Sequence, residues 1–129
     1  MNPSIIIQID DDEINNFISE SVFKSNIKNV TVKSYVNPVE ALHFLKNEFI
    51  PNPVPAAIFL DINMPEMNGW EILDELNPYN HIIENYIWIF MVSSSIDSID
   101  IFKSTRNPLI KDFLSKPISN QLVRHIFKL

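Results

Sequence analysis

The chain predicts a doubly wound α/β domain: a five-stranded parallel sheet with helices on both faces. Two observations carry that reading. Five short apolar runs alternate with five segments of helical period, the pattern of repeated strand–helix units joined by right-handed crossovers. Several of the runs are apolar throughout rather than alternating, as strands buried on both faces of a parallel sheet must be. Where these runs end, polar or charged residues follow. In such sheets, chemistry sits beyond the carboxyl ends of the strands.

Ser4–Ile9 (Ser-Ile-Ile-Ile-Gln-Ile) reads as the first strand, with Gln8 in need of amide partners if it is interior. It ends in Asp10-Asp11-Asp12-Glu13. Ile14, Phe17, Ile18 and Val22 then recur at helical spacing, with Asp12 placed to cap that helix and Glu13 suited to its positive end. Asn26 or Asn29 stops it in a left-handed turn. Val30–Tyr35, β-branched at its start, is the second strand and an edge. Pro38 opens the second helix, whose apolar face is Ala41, Leu42, Leu45 and Phe49. Pro51, Pro53 and Pro55 stiffen the connection to the third strand, Ala56–Leu60.

Asp61 follows that strand at the head of a loop containing Pro65 and the only glycine, Gly69. Trp70–Leu76 is a short helix with Ile72, Leu73 and Leu76 inward, broken at Asn77-Pro78-Tyr79-Asn80. Tyr86–Val92 is the most strand-like run and ends at Ser93-Ser94-Ser95, three hydroxyls suited to a turn and a helix cap. A weak helix over Ile96–Thr105 is expected to turn Ile99 and Phe102 inward. Leu109–Leu114 is the fifth strand. Ser115-Lys116-Pro117 turns the chain into a last amphipathic helix, Asn120–Lys128, carrying Leu122, Val123 and Ile126.

At 129 residues the chain fits one domain with a core of its own. The absence of cysteine excludes disulfides, thiol redox chemistry and Cys-based zinc sites. A net charge of −6, with scattered Lys and Arg, argues against direct nucleic-acid binding. No apolar stretch approaches a membrane span, and the N-terminal run lacks a basic leader, so the expected compartment is the cytoplasm. His43, His81 and His125 are dispersed and read as surface residues.

Four segments of the chain each bring a polar side chain to the same sheet edge: Asp10 and Asp11 after strand one, Asp61 after strand three, Ser93 after strand four, Lys116 after strand five. Crowded carboxylates repel, and a divalent cation relieves the conflict. Hard oxygen ligands suit Mg²⁺. Taken singly, each residue has an ordinary explanation as a cap, a turn or a solvated lysine, and Asp12 and Glu13 are assigned to capping. Taken together, Asp10-Asp11, Asp61 with Met64-Pro65 and Gly69, Ser93, and Lys116-Pro117 resemble the response-regulator receiver domain, the CheY-like family, along essentially the whole chain.

That resemblance implies a flavodoxin-like sheet of strand order 2-1-3-4-5 and one receiver domain over residues 1–129. Asp61 would accept a phosphoryl group from a histidine kinase or histidine phosphotransfer protein. Asp11, Asp61 and the Asn63 backbone carbonyl would ligate Mg²⁺, with Asp10 acting through a metal-bound water. Ser93 and Lys116 would meet phosphoryl oxygens, and Phe113 falls at the family's switch aromatic. Lys116-Pro117 is expected to be cis. Serine for the usual threonine at 93, and phenylalanine for the common tyrosine at 113, are departures that leave lifetime and coupling open. With no effector segment after Leu129, the implied output is protein binding through the fourth helix, fifth strand and fifth helix, a switch rather than an enzyme. A phosphorelay intermediate is the alternative within the family. A magnesium-dependent phosphohydrolase is the alternative outside it, opposed by Asn63 where a second aspartate would stand. A flavin carrier would need a Ser/Thr/Gly-rich loop where this chain has four acidic residues, and no organic cofactor is expected.

Overall fold

The computed structural model describes residues 1–95 and 97–129. Its elements run β1 (Ile5–Ile9), α1 (Glu13–Asn26), β2 (Thr31–Tyr35), α2 (Pro38–Phe44) continued by a π-helical turn (Leu45–Phe49), β3 (Ala56–Asp61), α3 (Gly69–Leu76), a 3₁₀ turn (Asn77–Tyr79), α4 (Asn80–Tyr86), β4 (Ile87–Ser93), α5 (Ser98–Arg106), β5 (Ile110–Ser115) and α6 (Asn120–Ile126). The five strands form one parallel sheet in the order β2-β1-β3-β4-β5. Ile96, expected to open the fourth helix, lies outside the described residues. The break at Asn77–Asn80 does not end helical structure, since α4 carries the chain on to β4. The fourth and fifth helices of the sequence reading are therefore α5 and α6.

Alternation along the strands sorts side chains onto two faces. Ile7, Ile58, Leu60 and Ile89 meet Leu42 of α2, Leu45 of the π-helical turn and Ile72 of α3 on one side. Ile6, Phe59, Phe90 and Leu114 meet Phe23 of α1 and Val123 of α6 on the other. The second face is aromatic: Phe59 lies 4.6 Å from Phe23 and 5.0 Å from Phe90, centroid to centroid. β3 is buried at all six positions, as the central strand of a doubly covered sheet. β2 is the half-exposed edge expected of it.

Register is what assembles the strand ends. Ile9 pairs with Leu60, so Asp10 and Asp61 leave β1 and β3 side by side. Asp61 pairs with Val92, and Ser93 with Ser115. Lys116 N–H donates to the Ser93 carbonyl at 2.9 Å, fixing the lysine one step beyond that rung. Between Ile89 and Phe90 the β4–β5 pairing is irregular, Ile110 and Asp112 standing opposite them, which leaves Lys111 as an extra residue on the edge strand.

One helix differs from the sequence reading, and another buries a face that its apolar spacing had left open. Three of the four apolar residues that mark α1 face solvent, Ile14 at 72% exposure, Phe17 at 73% and Ile18 with them, and only Val22 packs against the core. The inward face there is Asn16, Ser19 and Phe23, because the top of α1 packs against polar groups of β1 and only its lower end enters the core. Asn16 carbonyl and Ser34 hydroxyl accept from the Gln8 amide at 3.1 and 2.9 Å, satisfying the odd residue of β1. On α5 the expected inward pair is outward, Ile99 at 64% and Phe102 at 58% exposure. This helix buries Ser104, and its Asp100 accepts a hydrogen bond from Trp70 Nε1 of α3 at 3.0 Å. Trp70 thus ties α5 to α3, and Ile99 and Phe102 lie on the exposed part of the helix.

Asp12 caps α1, accepting from Asn15 N–H at 3.1 Å, and the left-handed residue beyond its end is Asn29, with φ of 60°. Lys116-Pro117 is cis. The three histidines are exposed. No helix among the described residues is long and apolar enough to cross a membrane.

The exposure difference within α1 is testable by urea unfolding. Phe23→Ala, which empties a fully buried ring site, is expected to cost about 3–5 kcal/mol. Phe17→Ser, six residues earlier on the same helix, is expected to change stability by no more than roughly 0.5 kcal/mol.

Candidate functional site

The loop after β3 holds Asp61 by packing its own backbone against the next helix. Gly69 N–H donates to the Ile62 carbonyl at 2.9 Å, closing the loop. A Cβ on Gly69 would lie 2.7 Å from the Asp61 carbonyl oxygen and 3.0 Å from Met91 Cε. The only glycine is required here by close approach to Asp61, with no positive φ involved. Asn68 and Glu71 form a reciprocal capping box that starts α3 at that point, and Ile62 and Met64 anchor the loop in the core.

Asp10, Asp11 and Asp61 each offer an oxygen within 4.8 Å of the others. Asp10 and Asp61 are buried and Asp11 is exposed, so the cluster opens outward on the Asp11 side. Among the described residues no other group of acidic or histidine side chains converges in this way. At 4.8 Å and an effective dielectric of about 20, each ionised pair repels by roughly 3 kcal/mol. One ammonium opposes them: Lys116 Nζ lies 2.6 Å from Asp10 Oδ2 and 3.5 Å from Asp61 Oδ1. Lys116 favours the nearer carboxylate, and Asp61 is left under-compensated.

Protonation equilibria record that imbalance. Burial, then the charge of Asp10, pushes the Asp61 carboxyl up to about 6 from an ordinary 3.8, against the lowering pull of Lys116 and the Asn63 N–H. For Lys116, burial disfavours the ammonium, but the hydrogen bond to Asp10 and the charge of Asp61 outweigh it and raise its pKa. The donor set of three hard carboxylate oxygens, with a repulsion that a dication would cancel, fits Mg²⁺. Asn63 follows on the rim of the same loop, its N–H 3.4 Å from Asp61 Oδ1.

Ser93 and Phe113 have their side chains engaged elsewhere. Ser93 is buried at the end of β4, its hydroxyl donating to the Ser95 carbonyl at 2.8 Å and accepting from Ser95 N–H at 3.2 Å. Phe113 is half-buried on β5, opposite Met91, and packs on the core face that carries α2 and α3. The expected residues at 10, 11, 61 and 116 are brought together, while Ser93 closes β4 one residue beyond the partner of Asp61 and Phe113 lies within β5.

Two residues of α1 escaped the sequence reading. Asn15 Nδ2 donates to Asp10 Oδ2 at 2.8 Å, and Asn16 Nδ2 donates to the Asp10 carbonyl at 2.9 Å. Asp12 N–H reaches Asp10 Oδ1 at 2.9 Å. The need of Gln8 for partners was the signal that α1 presents a polar face to β1.

The pKa of Asp61 fixes a stability prediction. A carboxyl that binds its proton more tightly when folded stabilises the fold below its ordinary pKa of 3.8 and loses that contribution as pH rises through about 6. At pH 8, metal-free protein therefore carries a penalty of about 2–3 kcal/mol. Asp61→Asn is expected to raise its melting temperature by roughly 5–10 °C at pH 8 and by little at pH 3.5. Mg²⁺ is expected to stabilise the parent protein more than the variant.

A family model described as response regulator receiver domain matches residues 6–128. Among curated proteins the chain is similar to the sensor histidine kinase CheAY of Helicobacter pylori, 26% identical over 124 residues. That alignment covers 96% of this chain and 14% of the relative, so the chain spans about one-seventh of its length. Among solved structures, a two component response regulator from Cytophaga hutchinsonii superposes with a TM-score of 0.87 at 26% identity, covering 99% of this chain and 96% of the other. A two-component response regulator from Legionella pneumophila gives 0.75 at 28% identity, over 95% and 94% of the two chains. The family match takes in all five strands but for Ile5, with the convergent aspartates and Lys116, and the chain belongs to the response regulator receiver domain family.

Proposed function

We propose that this receiver is a phosphorylation-driven switch in which Asp61 takes a phosphoryl group from a phosphohistidine of a sensor histidine kinase or histidine phosphotransfer protein. One observation carries the reading: a buried carboxylate at a strand end, under-compensated by its lysine, with two further carboxylates within 4.8 Å. An Asp61 oxygen attacks phosphorus in line. The new O–P bond forms as the P–N bond breaks, and that electron pair returns to the imidazole. In the metal-free pocket burial and Asp10 hold the Asp61 carboxyl up at about 6, and a dication on the same carboxylates would favour the ionised form that attacks.

The chain's other residues supply position and charge, which is most of what phosphoryl transfer asks of a protein. Lys116, 3.5 Å from Asp61 Oδ1, is placed to follow an oxygen of the transferred group. Ser93 would open its turn with Ser95 and donate to a second oxygen. Asp11, Asp61 and the Asn63 carbonyl would hold Mg²⁺ directly and Asp10 through a water, and the bound ion would neutralise charge shared by carboxylates and phosphoryl oxygens.

Movement of Ser93 would draw in the turn ahead of α5 and vacate space that Phe113, half-buried across from Met91, can fill. Such a repacking converts a local charge event into a changed surface. The reporting face we assign is α5, β5 and α6. Ile99 and Phe102 give it outward apolar contacts for a downstream protein. Residues 1–129 act in this reading as one receiver unit that holds a phosphoryl group without turning over substrate. A net charge of −6 and a chain free of cysteine suit a cytoplasmic protein that touches neither nucleic acid nor membrane.

With Mg²⁺ and acetyl phosphate, intact mass measurement is expected to show one added phosphoryl group. Asp61→Asn is expected to show none, and Lys116→Ala to slow addition by roughly 10²-fold. Undiminished addition in the Asp61 variant would sink the assignment.

A further inference from the structure

Asp10 is the most heavily bonded carboxylate of the cluster, and the pattern of its partners distinguishes Oδ1 from Oδ2. Oδ1 takes the Asp12 backbone N–H at 2.9 Å, a bond internal to the turn that begins α1. Oδ2 takes two side-chain donors from opposite sides of the pocket, Asn15 Nδ2 at 2.8 Å and Lys116 Nζ at 2.6 Å. The main chain of Asp10 is held in turn by Asn16 Nδ2 at 2.9 Å. Asp10 therefore stays where it is, and the mobile partner is the lysine at the end of its flexible stem.

Lys116 has two demands on it. At rest it sits on Asp10, 2.6 Å away, and only brushes Asp61 at 3.5 Å. To meet a phosphoryl oxygen on Asp61 it must lengthen its bond to Asp10, whose side chain is almost wholly buried. A buried carboxylate stripped of its donors is strongly disfavoured. Asn15 already donates to the oxygen that the lysine would leave, so a hydrogen bond remains when the ammonium departs. A neutral amide suits this position because it satisfies Oδ2 without adding a second cation that would compete for the phosphoryl group.

We propose that Asn15 is a positioning residue that shares Asp10 Oδ2 with Lys116, and so sets how readily the lysine transfers to a phosphoryl group on Asp61. Without the amide, Lys116 becomes the only side-chain donor to that oxygen and is held there. The inference rests on Asp61 as acceptor and adds a determinant of its reaction rate. The position is the third residue of α1, on a side chain half-buried against the pocket.

The test compares the parent protein with Asn15→Leu, near in size but unable to donate, and Asn15→Gln, which restores an amide on a longer arm. Phosphorylation rates with acetyl phosphate at saturating Mg²⁺, Mg²⁺ affinities and melting temperatures are measured for all three. Asn15→Leu is expected to slow phosphorylation about tenfold while its Mg²⁺ affinity moves less than about threefold, and Asn15→Gln to recover most of the rate. Parent-like rates in Asn15→Leu overturn the proposal. So does a loss of rate matched by an equal loss of Mg²⁺ affinity, or a slow Asn15→Gln with an unchanged melting temperature. A parent protein that takes no phosphoryl group at all overturns the acceptor reading itself, and this inference with it.

Discussion

An excess of negative charge at one edge of the sheet governs this molecule. Three carboxylates converge within 4.8 Å and a single ammonium answers them, closer to Asp10 than to Asp61. No arrangement of four such groups is neutral at pH 7 without a proton, a cation or a rearrangement. The fold holds them together regardless, which means that packing elsewhere outweighs their repulsion. A pocket of this kind responds strongly to any species that alters its charge balance, and a phosphoryl group with a dication is such a species.

Packing supplies the opposing stability through ordinary means. β3 is covered on both faces, and aromatic rings from β3, β4 and α1 fill one side of the sheet. Register then leaves Asp10, Asp61, Ser93 and Lys116 little choice of position, since each extends a strand whose rungs are fixed below it. Gly69 tightens the arrangement by letting α3 abut the Asp61 carbonyl. A one-residue slip in β1 or β3 would separate the carboxylates and turn buried isoleucines to the opposite face.

Much of the fold was legible because strands buried on both faces announce themselves as unbroken apolar runs, and parallel topology places their ends together. Strand edges shifted by about a residue, as for β4, which starts at Ile87 and closes on Ser93. The helices were less transparent. On α1, apolar spacing correctly marked a helix but left its inward face open, because periodicity has no sign: Asn16 and Ser19 go in where the neighbours are Gln8 and Asp10. On α5 the same ambiguity left Ile99 and Phe102 outward, and Ser104 is the residue that the helix buries. Asn15 was illegible for a different reason. Its partner is a carboxylate that sequence spacing places only approximately, and side-chain amides carry no period.

The most direct measurement identifies the atom that bears the phosphoryl group. Protein labelled in the presence of Mg²⁺ is reduced with borohydride, which converts an aspartyl phosphate to homoserine, and then mapped by peptide mass spectrometry. Homoserine at position 61, and at no other, is the expected result. Homoserine at position 10 or 11, or label lost to acid from a histidine peptide, would contradict the account of how this pocket distributes its charge.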